Sequence, residues 1–255
     1  MEYFVEKDSI VRQIWGKGDT ILFIFAGASA EFTLNKAVDW LYFTGRLPAD
    51  PLGRLFSTVS YARKIVFYPL EEAHAAIDKI NIIHEALEKE RGYRIPQWAY
   101  RDVLFMLIHY SIAAFELLER KLTANEKEEV FQVFYRLGVR MKIEDLPASY
   151  SEWLIMRHSH IRNDLAYSNY TKDLYKQYKK HLGAARYKLL KEGQVLVVPK
   201  RVIELLKLKS YSLLAPVVPV YKLSRKVRLD SLIKDLILPP EYKKEISDLD
   251  VLPVH

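Results

Sequence analysis

Four polar side chains in the segment from residue 51 to residue 109 interrupt stretches that are otherwise largely apolar. They are Arg54, Thr58, His84 and His109. A guanidinium, a hydroxyl and imidazoles that project into a helical core can anchor a carboxylate, hydrogen-bond bound oxygen and ligate iron. The set is too small for a catalytic triad or a structural zinc site. These residues therefore predict a buried cofactor pocket, and by themselves they name no reaction.

His84 lies on the apolar stripe of a predicted amphipathic helix. The stripe is formed by Ala73, Ile77, Ile80 and Leu87. A neutral imidazole at this position can ligate a metal or a haem iron while a neighbouring group fixes its tautomer, and Asn81 and Glu88 lie one turn away on either side. The alternative is a core histidine whose ring is satisfied by a backbone carbonyl.

His109 belongs to a predicted helix, 103–118, that is apolar on nearly all sides and is therefore expected to be central. Its imidazole is either a second wall of the pocket or a polar plug that hydrogen-bonds across helices. Because burying an unpaired imidazole is unfavourable, we expect a partner such as Tyr110 or Glu116.

Arg54 and Thr58 are one helical turn apart and face the same way. Together they can anchor a carboxylate or propionate, or hydrogen-bond bound oxygen. The alternative for the arginine is an ordinary surface position near the start of a helix.

Helical periodicity over most of the chain predicts an all-α fold, a single multi-helix domain. We assign residues 1–200 to this domain and residues 201–255 to a basic segment that packs on it or trails from it. Residues 195–199 are the one strand-like run, which we interpret as a buried connector or a helix start. Residues 211–221 contain two prolines and predict an irregular apolar crossing. The predicted helices cover approximately 9–16, 19–41, 52–68, 70–91, 103–118, 124–138, 149–162 and 174–182.

Composition excludes several classes of chemistry. The chain has no cysteine, so disulfides, thiolate metal ligands, iron–sulfur clusters and cysteine nucleophiles are impossible. We find no nucleophile elbow, Walker loop, dinucleotide-binding glycine motif or H-E-x-x-H zinc motif. The first residues lack the basic and then apolar order of a signal peptide, so we expect a cytoplasmic protein.

A basic stretch near the C-terminus carries part of the net charge of +7. Between Lys200 and Arg228, eight lysines and arginines face one acid, Glu204. This stretch is either a solvated cationic face or a peripheral contact with anionic membrane. We expect no nucleic-acid partner, because no recognition-helix, zinc-finger or RNA-binding signature accompanies the charge.

A second basic cluster ends the helix predicted at 149–162. It contains Arg157, His158, His160 and Arg162, next to Asp164. Histidines separated by one residue point to different faces of a helix and form a poor chelate. We interpret this cluster as a basic helix end that Asp164 neutralises.

The order and spacing of several motifs over roughly residues 20 to 180 resemble a known family. The chain is similar to the catalytic domain of the rubber oxygenases (latex clearing proteins) and the fungal oxygenases that cleave the tail of a mycophenolic acid precursor. The motifs are Asp50–Thr58, Ile65–Phe67, Ile82–His84, Gly92–Arg94 and Leu107–Ser111, with Leu238–Pro240 further on.

The resemblance implies a globin-like helical core around a buried b-type haem, with His84 as the axial ligand of the iron. It implies that His109 is the second pocket histidine and that Arg54 and Thr58 flank the distal face, where dioxygen binds. Cofactor contacts would then come from His84, Arg54 and Asn81, and catalytic contacts from Arg54, Thr58 and His109. The implied activity is oxidative cleavage of an isoprenoid carbon–carbon double bond into two carbonyl products.

The chain departs from the family pattern at three positions near the implied haem. Ser57 replaces a lysine of the rubber oxygenases, and Asn81 and Glu88 replace arginines. Losing cations there would weaken pairing with the haem propionates and change the potential of the iron. We therefore carry two hypotheses: a haem-dependent oxygenase for a small lipophilic substrate other than rubber, and a non-enzymatic helical module that binds a lipid or planar ligand.

Overall fold

The protein folds into α-helices, as the periodicity predicted. The computed structural model describes residues 2–43 and 50–226, apart from the side chains at positions 41, 51, 52, 54–56 and 224–226. No β-strand occurs in these two ranges, which contain only two isolated bridges, Tyr3 with Pro69 and Asn35 with Leu165. No helix within them is both long enough and apolar enough to cross a bilayer.

In chain order the described helices are α1 Ile10–Trp15, α2 Gly18–Phe32, α3 Asp39–Phe43, α4 Pro51–Phe67, α5 Leu70–Arg91, α6 Gln97–Leu118, α7 Ala124–Arg140, α8 Tyr150–Asn163, α9 Asn169–Val197, α10 Lys200–Leu206 and α11 Val217–Lys226.

Five of the described helices begin with a side chain that caps them, as local sequence chemistry favours. The Ser9 side chain accepts a hydrogen bond from Val11 N at the start of α1. Thr123 and Glu126 form a capping box at the start of α7. Helix α2 begins at Gly18, one residue before the predicted start, and the Asp19 carboxylate accepts a hydrogen bond from Thr20 N inside the helix.

The prediction that α2 continues toward Leu41 is wrong. The helix ends at Phe32, and the following backbone pairs with a distant segment instead. Lys36 N donates to Asp164 O, and Ala166 N donates to Leu34 O. A tertiary backbone pairing therefore stops an apolar helical pattern that would otherwise continue.

Three predictions in the C-terminal third also need correction. The strand-like run at 195–199 is the last turn of α9 and its link to α10. The helix predicted near 174–182 extends to Val197, with one break at Gly183, whose φ of 73° favours glycine. The irregular crossing predicted at 211–221 is confirmed over 211–216, but it is wrong from Val217 onward, where the helix α11 begins.

The centre of the domain is formed by α6, which packs on α2, while α9 covers another side of α2. Gly27 allows the closest approach, since a Cβ atom at this position would lie 2.2 Å from the Tyr110 ring. Ile108, Tyr110 and Ala114 of α6 are almost fully buried. The central position predicted for this helix is therefore confirmed.

The described part of the C-terminal segment contacts the rest of the domain. Tyr221 donates a hydrogen bond to Asp19 at 3.0 Å, and Lys222 Nζ donates to Glu119 O at 2.7 Å. Val202 of α10 is fully buried. The Leu238–Pro240 motif and the cation at Arg228 lie outside the described residues.

Candidate functional site

A cavity of about 1070 Å³ lies between the helices. This volume is at the upper end of the roughly 300–1,000 Å³ usual for ligand pockets. Helices α2, α4, α5, α6, α9 and α11 all contribute to its lining, which is mainly aliphatic and aromatic. Such a cavity suits a large, flat or greasy ligand, and the few polar groups on its wall decide which one.

His84 is one of these polar groups. Its ring lies on the cavity wall and packs edge-on against Tyr100, with 5.1 Å between ring centroids. The Tyr100 hydroxyl donates to Glu88 Oε1 at 3.0 Å, and the same carboxylate oxygen accepts from Ile95 N at 2.8 Å. Burial and the neighbouring Glu88 carboxylate raise the pKa of Tyr100, so this hydroxyl keeps its proton. Glu88 therefore holds the Tyr100 ring in place, and this ring supports His84.

The other residues predicted to line the pocket have different positions. Thr58 and its neighbour Ser57 line the same cavity as His84. The side chain of Arg54 lies outside the described residues. Asn81 is not part of the cavity lining, and its amide instead donates to the Arg140 carbonyl at 3.3 Å, which joins α5 to the end of α7.

His109 is likewise absent from the lining of the cavity. Its ring hydrogen-bonds to the backbone of Val197, so neither Tyr110 nor Glu116 is the partner that we expected. Burial and the positive charge of Arg157 lower the pKa of His109 to about 3, although Glu31 acts in the opposite direction. His109 is therefore a neutral plug between α6 and α9, the second of the two alternatives.

Arg186 is a cavity residue that the sequence analysis missed. It lies on the wall formed by α9, and its Nε is buried without a hydrogen-bond partner among the described residues. The signal was present, because Leu182, Arg186 and Leu189 recur at helical spacing and place a cation in the middle of an apolar stripe. A guanidinium there can pair with a carboxylate that enters the cavity.

Behind the cavity, α2, α6 and α8 share a buried charged cluster. Glu31 and Arg157 form a bidentate pair, and both side chains are almost completely buried. The Tyr110 hydroxyl donates to Glu31 Oε2 at 2.7 Å, and His160 Nε2 lies 3.1 Å from Glu31 Oε1. Burial alone would raise the pKa of Glu31, but the charge of Arg157 and the hydrogen bonds lower it well below its ordinary value.

The cluster continues from the other nitrogen of the same imidazole. His160 Nδ1 lies 2.8 Å from Asp102 Oδ2 and 3.5 Å from Asp164 Oδ2. Asn35, which also lines the cavity, donates from its amide to Asp102 Oδ2 at 3.2 Å. Burial lowers the pKa of His160, but the Asp102 and Glu31 carboxylates overcome this effect and raise it to about 9. The ring therefore carries a positive charge near neutral pH when only protons compete for it.

This arrangement corrects the interpretation of the basic cluster at the end of α8. Arg157 and His160 are core residues, whereas His158 and Arg162 are exposed as expected of a solvated helix end. The missed signal is the helical spacing of Trp153, Arg157 and His160, which continues an apolar stripe with two cations. Glu31 and Asp102 are isolated acids in apolar helices, and they are the anions that pair with these two cations.

We expect Glu31→Gln to lower the free energy of unfolding by about 3–5 kcal/mol, because the change leaves the buried Arg157 charge without its partner. Chemical denaturation measures this loss. Glu204→Gln is the control, since Glu204 pairs only with exposed cations, and it should change little. A Glu31→Gln protein as stable as the control would contradict a buried ion pair.

We expect the thermal midpoint to fall as the pH decreases from 6.5 toward 5. In this range the unfolded chain protonates His109, but the folded chain, in which the pKa of His109 is lowered to about 3, does not. His109→Gln should make the midpoint less sensitive to acid, because glutamine remains neutral. The exposed His158→Gln is the matched control. Equal acid sensitivity in the two variants would rule out this role for His109.

Comparison with known proteins places the chain. The family described as "ER-bound oxygenase mpaB/B'/Rubber oxygenase, catalytic domain" matches residues 15–226, which is most of the chain. No curated protein and no solved structure matches the chain. The match covers every helix from α2 to α11, including the helices that line the cavity. The resemblance drawn from the motifs is therefore confirmed, and the chain belongs to the mpaB and rubber oxygenase catalytic-domain family.

Proposed function

We propose that this protein is a haem b-dependent oxygenase that cleaves or otherwise oxidises a carbon–carbon double bond in a small lipophilic, isoprenoid-like substrate. The observation that carries the proposal is the large apolar cavity with His84 on its wall, in a chain of an oxygenase family. Cleavage of the double bond balances with dioxygen alone, since one double bond and one O₂ give two carbonyl groups.

The residues around the cavity fit a haem. Its volume of about 1070 Å³ suits a porphyrin together with a small substrate. The imidazole of His84, which lies on the wall, could ligate the iron. Arg186, whose Nε has no partner among the described residues, suits a propionate. This cation would compensate for those absent at positions 81 and 88.

Bound haem would supply the redox chemistry that activates dioxygen. The chain supplies the surroundings. His84 would hold the cofactor from one wall, with Tyr100 and Glu88 keeping the imidazole in place. The Thr58 hydroxyl can donate a hydrogen bond to oxygen in the cavity. The aromatic and aliphatic lining would bind the greasy substrate and exclude water from it.

Haem binding is tested with the purified chain and haemin at one equivalent. We expect a Soret band, and we expect His84→Ala to weaken haem binding at least tenfold and to change the spectrum, because the imidazole that would ligate the iron is removed. His74→Ala is the matched control, since His74 lies on the same helix and is not part of the cavity lining. No band at stoichiometric haem, or equal spectra for the two variants, would overturn the proposal.

The second candidate is a helical module that binds a lipid or planar ligand without oxidation. Glu88 favours it, because this carboxylate stands near His84 where the resemblance implies an arginine that pairs with haem. Ligand-dependent thermal stabilisation without oxygen consumption would support this candidate. Steady oxygen uptake with an olefinic substrate, lost in His84→Ala, would exclude it.

We further propose that the protein is cytoplasmic and contacts anionic membrane peripherally, where lipophilic substrates reside. Support comes from α11 and the residues before it, which expose Leu213, Val217, Val220 and Leu223 beside the lysines of the basic stretch. The family description includes ER-bound oxygenases.

We expect the chain to co-sediment with vesicles that contain phosphatidylserine, and less with purely zwitterionic vesicles. Val220→Asp should reduce binding, because it places a negative charge in the exposed apolar face. The control is Val139→Asp, which changes another exposed valine, on α7. Co-sedimentation that depends neither on the charge of the lipid nor on the change at Val220 would contradict membrane contact.

A further inference from the structure

We propose that His160, Asp102 and Asp164 form a binding site for one divalent transition-metal ion, separate from the cavity and independent of the haem proposal. The ligand atoms would be His160 Nδ1 and one carboxylate oxygen from each aspartate. The three residues come from α8, from α6 and from the position that ends α8. The site therefore joins two helices of the core at its edge.

The spacing of the three atoms is that of a coordination sphere. They all lie within 4.8 Å of one another. With metal–ligand bonds of 2.0–2.2 Å, neighbouring ligand atoms are about 3 to 4 Å apart. The separations of 2.8 Å and 3.5 Å from His160 Nδ1 to the two carboxylates are close to this range. Only small side-chain movements would be needed to admit an ion.

The orientation of His160 provides an independent observation. Its side chain is only 3% exposed, and its Nδ1 faces both aspartates, 2.8 Å from Asp102 Oδ2 and 3.5 Å from Asp164 Oδ2. The opposite nitrogen, Nε2, contacts the Glu31 carboxylate at 3.1 Å. Histidines that ligate metals typically donate their second N–H to a carboxylate, which fixes the tautomer with the other nitrogen facing the ion.

The charges of the cluster also favour a cation. Three carboxylates, Glu31, Asp102 and Asp164, meet one guanidinium and one imidazole in the described contacts. Arg157 neutralises Glu31, which leaves two aspartates around His160. These two carboxylates match the charge of a divalent ion, and the imidazole adds a third ligand atom.

The ligand types and the exposure narrow the choice of ion. One imidazole with two carboxylates suits Zn²⁺ or Mn²⁺ better than Mg²⁺ or Ca²⁺, which prefer all-oxygen sites. The Asp164 side chain is 32% exposed, so an ion can reach the site from solvent. Asn35 hydrogen-bonds Asp102 and lines the cavity, so the ion would fix part of the cavity wall.

The test is calorimetric titration of the full chain with Zn²⁺ alone, after EDTA treatment and dialysis, with Mg²⁺ as comparison. We expect one Zn²⁺ per chain, binding at least tenfold weaker in Asp164→Asn, and no comparable Mg²⁺ binding. Asp164→Asn is chosen because its side chain is partly exposed, so the protein should fold. Asp145→Asn is the matched control, since it removes the same charge from an exposed carboxylate outside the cluster.

A spectroscopic measurement identifies the ligands. X-ray absorption of the zinc-loaded chain should show one imidazole in a shell of oxygen ligands. Absence of stoichiometric Zn²⁺ binding, equal affinities for Asp164→Asn and Asp145→Asn, or a zinc shell without imidazole would each overturn the proposal.

Discussion

The buried pair between Glu31 and Arg157 is the constraint on which much of the domain depends. Neither charge can stay in the core without the other, because water cannot reach them to solvate either alone. The pair therefore ties α2 to α8, and the Tyr110 hydroxyl brings α6 into the same contact. Gly27 lets the Tyr110 ring approach α2 closely enough for this hydrogen bond. Charge pairing and close packing thus fix one and the same helix arrangement.

The cavity and the charged cluster are two sides of one structure. Helices α2 and α6 carry the cluster on one side and contribute apolar residues to the cavity on the other. Asn35 belongs to both, since it lines the cavity and hydrogen-bonds Asp102. Strong ion pairing behind the wall can keep a large apolar cavity open, because the helices that border it are held by contacts that the cavity does not use.

Departures from the family pattern become intelligible once their contacts are known. Asn81 and Glu88 stand where the resemblance implies arginines beside the haem, and both are used within the protein. The amide of Asn81 joins α5 to α7, and Glu88 orients Tyr100 against His84. In return, α9 brings Arg186 to the cavity wall. Among the described side chains, the cation on the cavity wall thus comes from a distant helix rather than from the turns around the histidine.

Helix content and the position of His84 on an apolar stripe followed from the sequence alone, because both depend on local period and capping. The family followed too, from motifs in a fixed order. The partners that side chains meet on other helices did not follow from the sequence. His109 bonds to Val197, and His160 lies between Glu31 and Asp102, contacts that join residues far apart in the chain. Local periodicity predicts which face of a helix is buried. Only tertiary packing determines which opposite charges meet that face, and these pairings place Arg157 and His160 in the core.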